Sequence, residues 1–378
     1  MGICVCIGTK GQCVKTAPVL LEMDARGMAY RLVHANQHPR ITREIAESFG
    51  LREPDCCMAG GERDIATSGE ALRWLGKNLL GLLTGSSRHL FLDGTGATLA
   101  RGKGEGGIML IHGDAPPALL SLAAALRFRM KIAHLEAGER TYNPFQPFPE
   151  ELTRMLVDRF SRILFAGSAN AVEHLRKERV RGEVVFIGMN TLLDAVRLAL
   201  RRGGEAPFKE GEYALFYIHR FESINNPRRM RFLLELLRDL GGQRVVMTLH
   251  DSTRHALKRF GLLGELEAMG HVEAVPLMAY HRFIATMAGS RFVVTDGGGP
   301  QQESFLLGVP CLILREKVER EGFPNVWVSG YDREKVQQFL KEPERFRLQV
   351  GIGRFEDIQP SRAVVDRLER ELGQRRGA

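Results

Sequence analysis

The 378 residues exceed what one hydrophobic core normally serves, and a hydrophobic content of 44% is ordinary for a soluble globular protein, so two domains are expected. A net charge of +8 favours anionic partners, but the basic residues are scattered and not interleaved with aromatics, which favours a phosphorylated small molecule over nucleic acid; a merely solvated basic surface fits the same excess of charge equally well. No early segment has the form of a secretory signal, and the longest apolar run, Ala118 to Leu126, is too short to cross a bilayer; a cytoplasmic protein without a membrane span is expected.

Apolar runs alternate with amphipathic ones along the chain. Strands are predicted at Ile3 to Ile7, Ala29 to Ala35, Ile108 to His112, Ile132 to Leu135, Ile163 to Ala166 and Val184 to Ile187. Helices are predicted up to about Arg26, around Ile41 to Phe49, over Glu70 to Leu83, after Pro116, from about Glu150 and over Thr191 to Arg201. The stretch from Ser86 to Gly107 breaks this rhythm and reads as a hairpin or a flap. Arg202-Gly-Gly-Glu-Ala-Pro reads as a linker, after which the pattern restarts with strands at Tyr213 to Ile218, Arg244 to Leu249, Val272 to Val275, Phe292 to Thr295 and Cys311 to Leu314. The fold class is therefore α/β, with two doubly wound parallel domains, at 1–200 and 207–352, and a ligand expected between them.

Six cysteines at irregular spacing form neither a metal signature nor a disulfide framework, so they are expected to be reduced, with Cys56-Cys57 in a plain loop. No His/Cys/carboxylate set has metal-ligand spacing, so neither metal nor cofactor is expected.

The chemistry concentrates near strand ends. Asp114 in Ile-His-Gly-Asp, Glu136 in His-Leu-Glu-Ala-Gly-Glu-Arg and Glu150 in Pro-Phe-Pro-Glu-Glu each have a basic or imidazole neighbour, and carboxylates gathered in this way carry protons or metal more often than stability. Glu150, Arg154 and Asp158 recur at helical spacing and are read as a polar face aimed at a cleft, with Leu152, Met155 and Leu156 on the opposite, core-directed face; a surface salt-bridge ladder fits the same spacing. Thr-Asp-Gly297-Gly298-Gly299-Pro300 follows a strand and has the form of a phosphate cradle, with Pro300 at the first helical position and Glu303 able to hold ribose hydroxyls. Lys10 and Lys15 follow the first strand as a weaker phosphate-facing loop. His219 with Arg220 ends another strand and suits a phosphate clamp, and His250 is placed similarly.

In their order and spacing these motifs resemble the UDP-N-acetylglucosamine 2-epimerase family, whose pattern is approximately His-Gly-Asp, His-Val-Glu-Ala-Gly-Leu-Arg, Pro-Glu-Glu, Gly-His-Arg-Arg-Glu and Thr-Asp-Ser-Gly-Gly-Ile-Gln-Glu-Glu. Ile187-Gly-Met-Asn-Thr-Leu-Leu-Asp-Ala is similar to a further family motif, and the resemblance runs from about Gly8 to Arg362. It implies a GT-B-like pair of Rossmann-like domains with a UDP-sugar in the cleft, a C-terminal helix over 360–374 packing back on the first domain, and a homodimer. The implied activity is inversion at carbon 2 by elimination of UDP to a 2-acetamidoglucal and re-addition. By resemblance Asp114, Glu136 and Glu150 handle the proton, and His219 stands at the leaving UDP. Lys10, Lys15, Arg154, Arg220, His250, Gly297, Gly298, Gly299, Glu303 and Arg320 form the expected substrate-binding set.

The chain also departs from the family pattern. Lys10 replaces an arginine, Gly11-Gln12 a Pro-Glu, Ala115-Pro116-Pro117 the residues that include the family threonines, and Gly297 a serine. Arg40 replaces the last glutamine of the Gln-His-x-x-Gln activator motif, so activation by a second substrate molecule is not carried over. Glu139 matches hydrolysing relatives, which release UDP and free sugar, whereas Pro149-Glu150-Glu151 matches the non-hydrolysing branch and favours reversible epimerisation. A non-catalytic nucleotide-sugar-binding protein and, more remotely, a glycosyltransferase are the other readings.

Overall fold

The computed structural model describes residues 2–65, 68–87, 90, 107–143, 149–203, 208–316, 318 and 322–373. Two compact units emerge, Met1–Ala195 with Asp357–Ala378, and Val196–Glu356.

The first unit contains β1 (Ile3–Ile7), α1 (Lys10–Ala25), β2 (Tyr30–His34), α2 (Pro39–Phe49), β3 (Cys56–Cys57), α3 (Ser68–Thr84), β4 (Ile108–His112) and α4 (Pro116–Arg127). It continues with β5 (Lys131–Leu135), α5 (Glu150–Phe160), β6 (Ile163–Ala166), α6 (Ala169–Lys177) and β7 (Glu183–Phe186), while α7 (Leu192–Arg202) runs on into the second unit. The strands form one parallel sheet in the order β3-β2-β1-β4-β5-β6-β7. Central β1 and β4 are buried along their whole length because helices cover both faces of a parallel sheet, so their sequences read as continuous apolar runs.

The second unit repeats this plan with β8 (Tyr213–Tyr217), α8 (Phe221–Ile224), α9 (Pro227–Asp239), β9 (Arg244–Thr248), α10 (Asp251–Arg259), α11 (Leu263–Glu267) and β10 (Val272–Val275). α12 (Tyr280–Ala288), β11 (Phe292–Thr295), α13 (Gly298–Leu307), β12 (Cys311–Ile313), β13 (Val326–Val328) and α14 (Arg333–Lys341) complete it, in the sheet order β10-β9-β8-β11-β12-β13. Its core joins Phe216, Met247, Phe292, Leu312 and Phe339. Finally α15 (Pro360–Gly373) belongs to the first unit, where Arg26 donates to Asp366 at 2.6 Å and the Ser361 amide donates to Asp194 at 2.8 Å.

Both sheets reverse direction at their third strand, between β1 and β4 and between β8 and β11. In such sheets the loops leaving the strands diverge at the reversal and open a ligand-sized crevice at the carboxyl ends.

Three expectations need correcting. Cys56 and Cys57 are not loop but the short strand β3, paired in parallel with Val33 and His34, because an edge strand needs only one partner. All six cysteines are free thiols. Pro300 is the third residue of α13, not the first; the opening amides of a helix have no intrahelical acceptor, so a proline that lacks one is tolerated there.

The third correction concerns α5. Leu152, Met155 and Leu156 are 38%, 45% and 44% exposed, whereas Glu151 and Asp158 are 1% and 0% exposed. The apolar stripe points outward because two carboxylates on the inward face find buried hydrogen-bond donors. The hairpin or flap expected from Ser86 to Gly107 lies outside the described residues, apart from Ser86, Ser87, Leu90 and Gly107, and so does most of the expected linker. Among the described residues no helix is long and apolar enough to cross a membrane.

Candidate active site

In the first unit helix α1, which follows β1, carries Lys15, and the loops leaving β4 and β5 carry Asp114 and Glu136, all near the sheet's reversal point. Lys15 Nζ donates to Glu136 Oε1 at 2.7 Å, and both side chains are largely buried. Asn190 Nδ2 donates to the same oxygen, and His112 Nε2 lies 3.6 Å from the other. Glu136 adopts φ +64, a left-handed conformation that costs a non-glycine residue on the order of 1–3 kcal/mol and persists only where the surroundings over-determine it. The Asn-Thr motif does part of this work. Asn190 also accepts from the Leu192 amide at 2.8 Å, and Thr191 Oγ1 donates to the Lys15 carbonyl at 2.6 Å.

Asp114 forms an ion pair with Arg154, whose Nη1 also donates to Glu151 at 3.2 Å. Burial alone would lower the Arg154 pKa, but Asp114, Glu136 and Glu151 outweigh it and hold the guanidinium above its ordinary value. One cation therefore faces three carboxylates. Glu150 opens α5 and is half-buried, one turn before Arg154. Lys10 is the first residue of α1, behind the N-cap Thr9, and is half-buried.

Asp158, expected on the cleft-facing side with Glu150 and Arg154, is instead an internal hub. It accepts from His134 Nδ1 at 2.6 Å, the Gly138 amide at 3.1 Å and Arg140 Nη2 at 2.7 Å, with the His134 ring oriented by the Gly113 carbonyl 3.0 Å from Nε2. Burial raises its pKa, but His134 and Arg140 more than reverse this and hold it below the ordinary aspartate value. Asp158 thereby ties the loop bearing Glu136 to the loop bearing Asp114. At Gly138, with φ +82, a Cβ would lie 2.3 Å from the Ala171 carbonyl oxygen, so only glycine lets this loop close.

Glu151 is a second internal hub. It accepts from the Thr141 amide at 3.1 and 3.2 Å and from the Tyr142 amide at 3.2 Å. Sequence reasoning assigned roles to neither His134 nor Glu151, although both lie within the motifs it quoted.

In the second unit His219 follows β8 and Gly297 follows β11, again at the reversal of the sheet. Buried Asp296 accepts from the His219 amide at 3.1 Å and the Arg220 amide at 3.0 Å, and its Oδ1 lies 3.4 Å from His219 Nδ1. Burial would raise the Asp296 pKa, but His219 and Ser223 hold it below the ordinary value. The His219 ring stacks on Tyr217 with centroids 4.5 Å apart, leaving the side chain 31% exposed. A buried carboxylate near one ring nitrogen and an aromatic face fix the plane of an imidazole, a group able to donate a proton or a hydrogen bond to an oxyanion.

Gly297 is the N-cap of α13, and Gly298 and Gly299 form its first turn, so their amides are helix-start donors. Arg220 caps α8, its side chain lying 3.4 Å from Glu222. His250 is an N-cap whose Nδ1 accepts from the Ser252 amide at 3.2 Å, which commits that atom to holding α10. Glu303 is 5% exposed and accepts from the Tyr280 hydroxyl at 2.9 Å, while burial and then Glu303 push the phenol well above its ordinary pKa. Arg320 lies outside the described residues.

The model of a family described as UDP-N-acetylglucosamine 2-epimerase matches residues 92–345. The chain belongs to the UDP-N-acetylglucosamine 2-epimerase family. It is 27% identical to UDP-N-acetylglucosamine 2-epimerase of Methanococcus maripaludis over 92% of this chain and 94% of that protein. It is 32% identical to the Pseudomonas aeruginosa UDP-2,3-diacetamido-2,3-dideoxy-D-glucuronate 2-epimerase over 56% of this chain and 59% of that one. The crystal structure of the Neisseria meningitidis UDP-GlcNAc 2-epimerase bound to UDP-GlcNAc shares the fold with a TM-score of 0.76 at 22% identity, covering 98% of this chain and 100% of that one.

Within the epimerase family, the departures seen in the sequence have local physical reasons here. Gln12 links two site loops, accepting from the Gly8 amide at 3.1 Å and donating to the His112 carbonyl at 3.0 Å. Pro116 and Pro117 open α4, where fixed φ favours a helix start. At Gly297 a Cβ would lie 2.8 Å from His219 Cε1 and 2.9 Å from Pro300 Cδ, so the serine of the family pattern does not fit the ring as placed here.

Proposed function

We propose that this enzyme epimerises carbon 2 of UDP-N-acetylglucosamine or a related UDP-2-acetamidosugar through elimination and re-addition of UDP. Removal of the carbon-2 proton and cleavage of the bond from carbon 1 to the diphosphate oxygen yield a 2-acetamidoglucal and UDP. Protonation of carbon 2 from the opposite face and return of the diphosphate oxygen to carbon 1 give the epimer. Asp114, Glu136 and Glu150 are the proton-handling set, with Lys15 and Arg154 fixing two of them. His219, Arg220 and the amides of Gly297 to Gly299 serve the departing UDP.

The observation that carries this reading is Glu136 held in a left-handed backbone conformation by Lys15 and Asn190 at the sheet reversal. Such cost is sustained where a carboxylate must be aimed. Incubating the protein with UDP-N-acetylglucosamine in heavy water tests it by proton NMR. Loss of the carbon-2 proton signal with appearance of a manno-configured UDP-sugar is expected. Free UDP with released sugar would make the enzyme hydrolysing, in line with Glu139, and saturable binding without exchange would sink both enzyme readings.

The match to the Pseudomonas aeruginosa enzyme supports a second substrate, a UDP-2,3-diacetamido uronic acid, on which the same exchange is the test. The outward apolar stripe of α5, which also includes Phe160 at 51% exposure, supports a homodimer through that helix.

A further inference from the structure

A second charged basin lies in the first unit at the other end of the sheet from the catalytic carboxylates. Lys131 opens β5, Arg162 immediately precedes β6 and Glu183 opens β7, so these residues mark the amino ends of strands. Asp114 and Glu136 follow the carboxyl ends of β4 and β5; a five-residue strand separates the two ends by roughly 15 Å. With Arg181 and the α15 residues Arg367, Arg370 and Glu371, they line a cavity of about 720 Å³.

Five cationic side chains therefore face two carboxylates. Both carboxylates are spoken for within the basin, Glu183 by Arg367 at 2.6 Å, and Glu371 by Lys131 and by Arg367 at 3.0 Å. Among the described residues the side chains of Arg162 and Arg181 have no hydrogen bond or ion pair, and Arg367 Nη1 is buried without a hydrogen-bond partner. Uncompensated like charges around one cavity repel one another, and no aromatic or aliphatic side chain lines it to hold a base or an acyl chain. Guanidinium groups match phosphate oxygens in geometry and charge.

We propose that this basin binds a compact polyanion carrying two or more phosphate groups, at a site distinct from that for the nucleotide sugar. The test is calorimetric titration of the full chain with inorganic tripolyphosphate at low salt, with UDP held at saturating concentration to block any diphosphate site in the second unit. One tripolyphosphate per chain is expected, with affinity that falls as salt is raised. The double variant Arg162→Ala/Arg181→Ala, which removes exposed side chains that hold nothing in the fold, should weaken binding at least about tenfold, the loss of two charge-assisted contacts. Arg220→Ala should leave it unchanged. No binding in the presence of UDP, equal binding by the double variant, or loss of binding in Arg220→Ala would each overturn the proposal.

Discussion

Replacing Asp158 by asparagine removes one charge from the interior and leaves its volume nearly unchanged. The native carboxylate accepts from His134, Gly138 and Arg140 at 2.6, 3.1 and 2.7 Å and is fully buried. Hydrogen bonds to a charged group contribute about 1.5–3 kcal/mol each, and breaking a buried pair by altering one partner costs about 3–5 kcal/mol. Asparagine keeps one carbonyl acceptor, and Arg140 keeps Glu178 at 2.6 Å, so the low end applies, about 3 kcal/mol. For a unit of this size that lowers the melting temperature by about 6–12 °C, at about 2–4 °C per kcal/mol.

The effect depends on pH with a defined sign. The Asp158 pKa is depressed in the folded protein, so its contribution is fully present above the ordinary aspartate value of about 4 and is lost as pH falls through the lower folded value. Calorimetric melting of both proteins should show the full gap at pH 7 and pH 5, and a gap that narrows below about pH 4. A gap under about 2 °C at pH 7, or one that does not narrow in acid, would refute the assignment of Asp158 as a charged hub.

Lys15→Met removes the cation on Glu136 and should lower kcat about 10²–10³-fold with the fold intact by circular dichroism; kcat within about threefold of wild type would remove Lys15 from the site. Gly297→Ser should displace the His219 ring and weaken UDP binding about tenfold by calorimetry, and unchanged affinity would show that the ring moves aside without cost. Met155→Glu/Leu156→Glu on α5 should convert a dimer to a monomer in sedimentation; an unchanged sedimentation coefficient would place any interface elsewhere.

The alternation of apolar runs was enough to place nearly every strand and both sheets, because a parallel strand covered on both faces must be apolar throughout. That Asp114, Glu136, His219 and the glycine run stand just after strand ends, where this architecture places ligand crevices, was legible because strand ends are visible in a linear chain. β3, two residues long, carries too little pattern to read, and β13 was missed although its Val-Trp-Val is apolar.

What the sequence by itself determined was thus the period of each element and the chemistry at its end. Only the tertiary structure decided which face of α5 turns inward. Helical spacing offers two faces, Leu152-Met155-Leu156 and Glu151-Asp158, and hydrophobicity alone favours burying the first. Donors from Thr141 and Tyr142 and from His134, Gly138 and Arg140, all contributed by the β5 strand and the loop that follows it, reverse the choice. Burying a carboxylate is unfavourable only until donors converge on it, and their convergence is a property of the fold that no single helix contains.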